Sequence, residues 1–210
     1  GSEMCIRDSY MRAEGMHAIQ QSIITRMALA HAHFEAVHPF RDGNGRVGRM
    51  LLPIMMAADG RTPLYLAPYI EANKPAYVEA LKAAQQRLDW PSMVGFVSDA
   101  VVGSANELFT TREALEALST RWKARRAFRR GSSSLRALEI LPQYPVITIS
   151  RLATLLKVTY PAAATAVAQL EEIKALVERT GYTRNRVFAA PEALSILNRP
   201  FGEAPILPEA

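Results

Sequence analysis

The chain of 210 residues has a single cysteine, Cys5, so no disulfide can form within it and its core must be held by packing alone. Aromatic residues are sparse, at 8%. No apolar run reaches the about 18 residues that a membrane-spanning helix needs. The first residues lack the apolar segment of a secretory leader. These absences set a cytoplasmic protein as the expectation, with no membrane partner. Acidic residues are missing from one place: residues 121–136 hold seven Lys and Arg and no Asp or Glu. Residues 1–120 carry 11 basic against 13 acidic residues, and 137–210 carry seven of each, so the net charge of +5 arises from that short tract. A protein whose whole surface binds nucleic acid would spread its basic residues more widely. Against these absences, 49% hydrophobic residues are enough for a core, and the length suits one large or two small domains.

The densest chemistry lies in His38-Pro39-Phe40-Arg41-Asp42-Gly43-Asn44-Gly45-Arg46-Val47-Gly48-Arg49. Gly43 and Gly45 let the backbone approach an anion closely. A helix starting near Gly45 points free N–H groups and its positive dipole end at such an anion. Arg46 and Arg49, three apart, share a helix face and can clamp one polyphosphate. Asp42 is a hard oxygen ligand suited to Mg2+ beside phosphate oxygens. His38 can take a proton from an attacking hydroxyl. The side-chain amide of Asn44 offers a donor to a phosphoryl oxygen. Phe40, between polar neighbours, is expected to turn inward and anchor the loop.

This stretch resembles the signature of the Fic family, His-Pro-Phe-x-(Asp/Glu)-Gly-Asn-(Gly/Lys)-Arg-x-x-Arg, at every fixed position. Ala30-His31-Ala32-His33-Phe34-Glu35 is similar to the helix before the motif in that family, and Pro63 to Ile70 to a segment after it. The resemblance covers about residues 10–120. It implies an all-helical core that transfers AMP from ATP to a Ser, Thr or Tyr hydroxyl of a target protein. His38 would then be the general base and Asp42 the Mg2+ ligand, with Gly43 to Gly45 forming the anion hole. Arg46 and Arg49 would hold the β- and γ-phosphates. Phe40 counts with the nucleotide-binding loop. Tyr77 has two readings, an adenine-side contact or a helix-packing tyrosine. Self-modification and a homodimer fall within the same expectation. Only 37 residues precede His38, so the family's target-aligning flap is expected to be absent and the chain truncated at its N-terminus. The family's inhibitory helix has one near match, Glu14-Gly15 with Tyr10 where Ser or Thr belongs. That element is expected upstream or on another protein, which leaves Arg49 free.

Apolar spacing predicts helices over Met11–Val37, Val47–Ala58, Lys74–Leu88 and Met93–Phe109. Thr110-x-x-Glu113 has capping-box spacing and is read as opening a further helix. His17, His31 and His33 are read as packing or surface histidines. Residues 10–130 form the catalytic domain, 131–134 a flexible Gly-Ser link, 135–198 a second domain and 199–210 a tail. The second domain reads as helix 135–141, strand 147–149, a helix capped by Ser150, a helix from Thr159-Tyr160-Pro161 to about Ile173, and a hairpin over 176–188. The fold class is therefore mainly α, with a small α+β domain that resembles winged-helix modules.

That domain's helix from Tyr160 to Glu172 offers only Gln169 as a base reader, while Arg184 and Arg186 in the wing suit phosphates. DNA contact and protein docking both stay open. The 121–136 tract is either a phosphate or acidic-patch contact or a solvated helix end. Two further readings compete with adenylyl transfer: a transferase using a different nucleotide or phosphodiester donor, and a winged-helix DNA-binding regulator.

Overall fold

The computed structural model describes residues 22–182 and 184–208. Cys5, His17 and the Glu14-Gly15 match lie outside the described residues. By their contacts the residues divide into two compact units at Glu107/Leu108.

In the first unit, α1 spans Ile23–Val37, α2 Asn44–Ala58, α3 Ala67–Ala72 and α4 Lys74–Arg87, while α5, Trp90–Ala124, begins in this unit and ends in the second. The helix expected over Met11–Val37 has an N-terminus at Ser22, whose extended backbone and hydroxyl cap the amide of Thr25. The apolar faces of these helices meet in a core built around Met27, Leu52, Met55, Leu66, Met93 and Val97. Pro53 sits inside α2 without ending it. The buried Arg26 pairs with Asp59, tying the start of α1 to the residue after α2.

The helix expected to open at Thr110 does not. Trp90–Ala124 is one helix of 35 residues, and Thr110 lies exposed in its middle. A capping box signals a helix start only where the chain before it is not helical, and no Gly-Pro break stands there. Arg112 and Glu116 pair along the helix instead.

The second unit adds α6 Ser133–Ile140, β1 Val146–Thr148, α7 Ile149–Leu156, α8 Tyr160–Glu172, β2 Val177–Glu178, β3 Val187–Ala189 and α9 Pro191–Leu197. The sheet order is β1-β3-β2, all antiparallel, with Ile147 opposite Phe188 and Glu178 opposite Phe188. Its core is a separate cluster including Leu118, Trp122, Leu138, Leu152, Leu170, Leu176 and Phe188. The chain is thus mainly α with a small α+β region, as its patterns predict.

Two local expectations need correction. Residues 131–134 are not a free link: Ser132 caps α6, and the buried Ser134 donates to Gln169. The cap of α7 is Thr148, which accepts from the amide of Arg151, rather than Ser150.

If Thr110 is mid-helix, Thr110→Ala exchanges a poorer helix former for the best one. Denaturant unfolding should show no loss, or a gain of a few tenths of a kcal/mol. A loss of about 1 kcal/mol, the usual cost of removing a cap, would restore the two-helix reading.

Candidate active site

The loop between α1 and α2 carries the signature. His38 is the C-cap of α1, in the left-handed region at φ 50°, with its amide donating to the carbonyl of Phe34. Its ring is exposed, and Nδ1 lies 3.3 Å from the carbonyl oxygen of Glu35. A carbonyl only accepts, so that contact puts the proton on Nδ1 and leaves Nε2 as the acceptor.

Five residues on, Gly43 takes φ 80° and caps α2 with no side-chain hydrogen bond. The turn needs this left-handed conformation, which glycine adopts freely. The first-turn N–H groups of α2 therefore point away from the helix without a side-chain cap, next to an exposed loop. Asp42 Oδ1 accepts from the Gly43 amide at 2.7 Å, and Oδ2 lies 3.5 Å from Arg46. Both side chains are almost fully exposed, so the pair adds little stability and either partner is available to a ligand. The guanidinium of Arg46 lies over Gly43 and that of Arg49 over Gly45: a Cβ at those glycines would meet them at 3.2 and 3.3 Å. The loop thus places a basic ring nitrogen, a helix N-terminus, two guanidiniums and one carboxylate together.

Asn44 has a task beyond the one its sequence position suggests. It is buried, its Oδ1 accepts from the Phe40 amide at 2.9 Å, and its Nδ2 donates to the Phe40 carbonyl at 2.6 Å. Its side chain thus ties the loop to the start of α2. Phe40 also differs: it stays half exposed and leans on Phe34, ring centres 6.2 Å apart, because Asn44 rather than its own ring holds the loop. Tyr77 is placed where the packing alternative puts it. It is buried, packed against Phe96, with its hydroxyl 2.8 Å from His31 Nε2.

Three residues that the sequence did not single out as functional support this loop. His31 is buried, with Nδ1 3.0 Å from the Gly48 carbonyl, so it binds α2 on one side and Tyr77 of α4 on the other. Burial lowers its pKa to about 4, which keeps it neutral near pH 7. Gly48 lets the helices touch: a Cβ there would sit 2.4 Å from Glu35 Oε1 and 3.2 Å from His31 and Phe34 carbon atoms. Glu35 is the third. A glycine at an otherwise apolar helix position was the available signal for this close approach.

Among the described residues no group of three or more His, Cys, Asp or Glu could hold a metal. Asp42 alone suits Mg2+ carried in with phosphate oxygens, where one carboxylate is the usual protein share.

Gly48→Ala should destabilise the protein by about 1–3 kcal/mol, the cost of forcing a methyl into a filled contact. Chemical denaturation measures it. An unchanged midpoint would show that α1 and α2 are free to separate.

Residues 6–56 match the model of the Fic/DOC family. A probable protein adenylyltransferase of Aquifex aeolicus (strain VF5) is 36% identical over 64 residues, 30% of this chain and 18% of that protein. Protein adenylyltransferases named fic-1 from Caenorhabditis briggsae and Caenorhabditis elegans are each 49% identical over 43 residues, 20% of this chain and 8% of theirs. The matched stretch is thus less than a fifth of each relative's length. The family match, residues 6–56, takes in α1, the loop and most of α2 just described, so it is this segment that resembles the Fic/DOC family.

Proposed function

We propose that the first unit is a protein adenylyltransferase. The observation that carries this reading is the α1–α2 junction, where a proton acceptor at one helix end faces an uncapped helix start flanked by two arginines. His38 Nε2 takes the proton from a Ser, Thr or Tyr hydroxyl of a target protein, and the oxygen attacks the α-phosphorus of ATP. The bond from that phosphorus to the oxygen bridging to the β-phosphorus breaks, and pyrophosphate leaves. Main-chain N–H groups of the Gly43–Gly45 turn receive the charge on the α-phosphoryl oxygens. Arg46 and Arg49 hold the β- and γ-phosphates. Asn44 acts by fixing the turn. Mg2+ held by Asp42 and the phosphates would neutralise charge on the leaving group. The rest of catalysis is positioning, the general pattern in phosphoryl chemistry.

The second unit we read as a winged helix suited to protein contact rather than to DNA. Two of its three candidate DNA contacts, Gln169 and Arg186, are engaged internally, while Arg184 is exposed. Gln169 accepts from Ser134. Arg186 pairs with Glu178 and Glu171 and stacks on Phe188. Part of the basic tract is also paired within the second unit, while Arg129 and Arg130 are exposed. Arg125 forms a two-pronged pair with Glu192 at 2.7 and 3.0 Å, Arg126 pairs with Glu172, and Lys123 with Glu139.

Intact-protein mass after incubation with Mg2+ and ATP tests the transferase reading on the protein's own hydroxyls. The expected outcome is a gain of one AMP in the wild type and none in His38→Ala, with ATP binding retained in both. An equal gain in both proteins would remove His38 as the base. ATP bound to neither would remove the nucleotide from the account.

A further inference from the structure

The second unit holds a pocket of about 410 Å3 between its β2–β3 loop and the starts of α7 and α8. Small-ligand sites run from about 300 to 1,000 Å3, so this space suits a compact molecule. Six polar side chains line it and none is acidic. They are Thr148 and Ser150 at the start of α7, Tyr160 at the start of α8, and Arg184, Asn185 and Arg186 on the loop.

The two arginines are held differently. Arg186 is fixed: it pairs with Glu178 at 3.0 Å, lies 3.7 Å from Glu171, and stacks on Phe188 with 4.8 Å to the ring centre. A guanidinium carries its N–H donors in a rigid fork, so these contacts leave donors over. Both acids stand outside the pocket lining. Arg184 is exposed and, among the described residues, has no acidic partner. It brings a second positive charge to the same concavity, an arrangement that an anion stabilises. Between the two, Asn185 turns the loop tip through a left-handed backbone at φ 54°, which asparagine tolerates better than most residues.

The other groups select the kind of anion. Thr148 accepts from the Arg151 amide, which leaves its hydroxyl proton to donate. Ser150 and Tyr160 are exposed and add two further hydroxyls. A terminal phosphate carries about −1.5 to −2 at pH 7 and three acceptor oxygens, which suits donors arriving from two helix starts and a loop. A phosphate within a duplex brings a row of like charges with it. That row would meet α8, which has no Lys or Arg and ends in Glu171 and Glu172. Inorganic phosphate fills only part of the volume. The Tyr160 ring and Ile149 give the pocket an apolar side, and an exposed aromatic beside a phosphate site stacks a base.

We propose that this pocket binds a mononucleotide. Arg184 and Arg186 take its terminal phosphate, the Thr148 and Ser150 hydroxyls complete the phosphate shell, and the base lies against Tyr160. The site is wholly within the second unit and stands apart from the transferase reading.

Amide NMR of the full chain titrated with AMP, without Mg2+, tests this, because it reports where the ligand sits. The resonances of Ser150, Tyr160, Arg184 and Arg186 should move together and saturate. Arg184→Ala should weaken AMP at these amides about tenfold, the loss of one charge-assisted hydrogen bond. The rest of its spectrum should match the wild type, since Arg184 is exposed. Tyr160→Ala should weaken AMP while leaving inorganic phosphate as it was. Shifts confined to the His38 loop overturn the proposal, and so does AMP binding unchanged in Arg184→Ala. Inorganic phosphate bound as tightly as AMP overturns the nucleotide as the ligand. A short DNA duplex that moves the same amides at lower concentration than AMP would make the pocket a backbone contact and overturn it as well.

Discussion

The amide of Asn44 grips the backbone of Phe40 from both sides, accepting from its N–H and donating to its carbonyl. This clasp closes a five-residue turn that has no other rigid element. It forces Gly43 into the left-handed conformation and starts α2 at Asn44. Everything chemical follows from that start. The N–H groups of the first turn face outward, and Arg46 and Arg49 come to lie over Gly43 and Gly45. His38 is held across the turn at the end of α1. Each hydrogen bond of a buried amide is worth about 1 kcal/mol net, and more is lost if one partner is removed and the other stays buried.

The clasp works only if α1 and α2 stay in register. Gly48 allows their close approach, and His31 uses the carbonyl of Gly48 as its partner. Tyr77 extends that polar line into α4. Arg26 with Asp59 closes the far end of the helix pair. The unit thus buries hydrogen-bonded His31 and Tyr77 and the paired Arg26, and leaves Asp42 and Arg46 exposed at the loop. Glu35 carries a carboxylate oxygen inward over Gly48.

Much of this was legible in the sequence. The motif, its helix boundary near Gly45, the helical spacing of Met27, Ala30 and Phe34, and the strand–helix order of the second unit are local patterns, and local patterns survive folding. The failures were questions of which atom meets which. Asn44 has a side chain that suits an oxyanion or a loop equally well, and only geometry distinguishes the two. Phe40 reads as an anchor because it is aromatic, but the loop was already anchored by its neighbour four residues on. Thr110 and Glu113 carry a start signal inside a helix that had no reason to stop. The 121–136 tract has no acid in it, yet its partners Glu139, Glu172 and Glu192 come from later in the chain. No spacing rule links residues so far apart. Glu35 was visible as part of a helix, but its buried oxygen depends on the missing side chain of Gly48 across the helix pair.

The turn at Gly43 and the placement of Arg46 and Arg49 depend on one buried side chain, that of Asn44. Calorimetric titration of Mg2+ and ATP into wild type and Asn44→Ala tests this most directly, with near-ultraviolet circular dichroism confirming the packed core of both. The account predicts ATP affinity at least about tenfold weaker in Asn44→Ala, roughly the cost of one lost ordering contact of 1.4 kcal/mol, while the core signal is kept. Equal affinity in the two proteins would show that the helix start and the arginines hold their places without the clasp, and would contradict it.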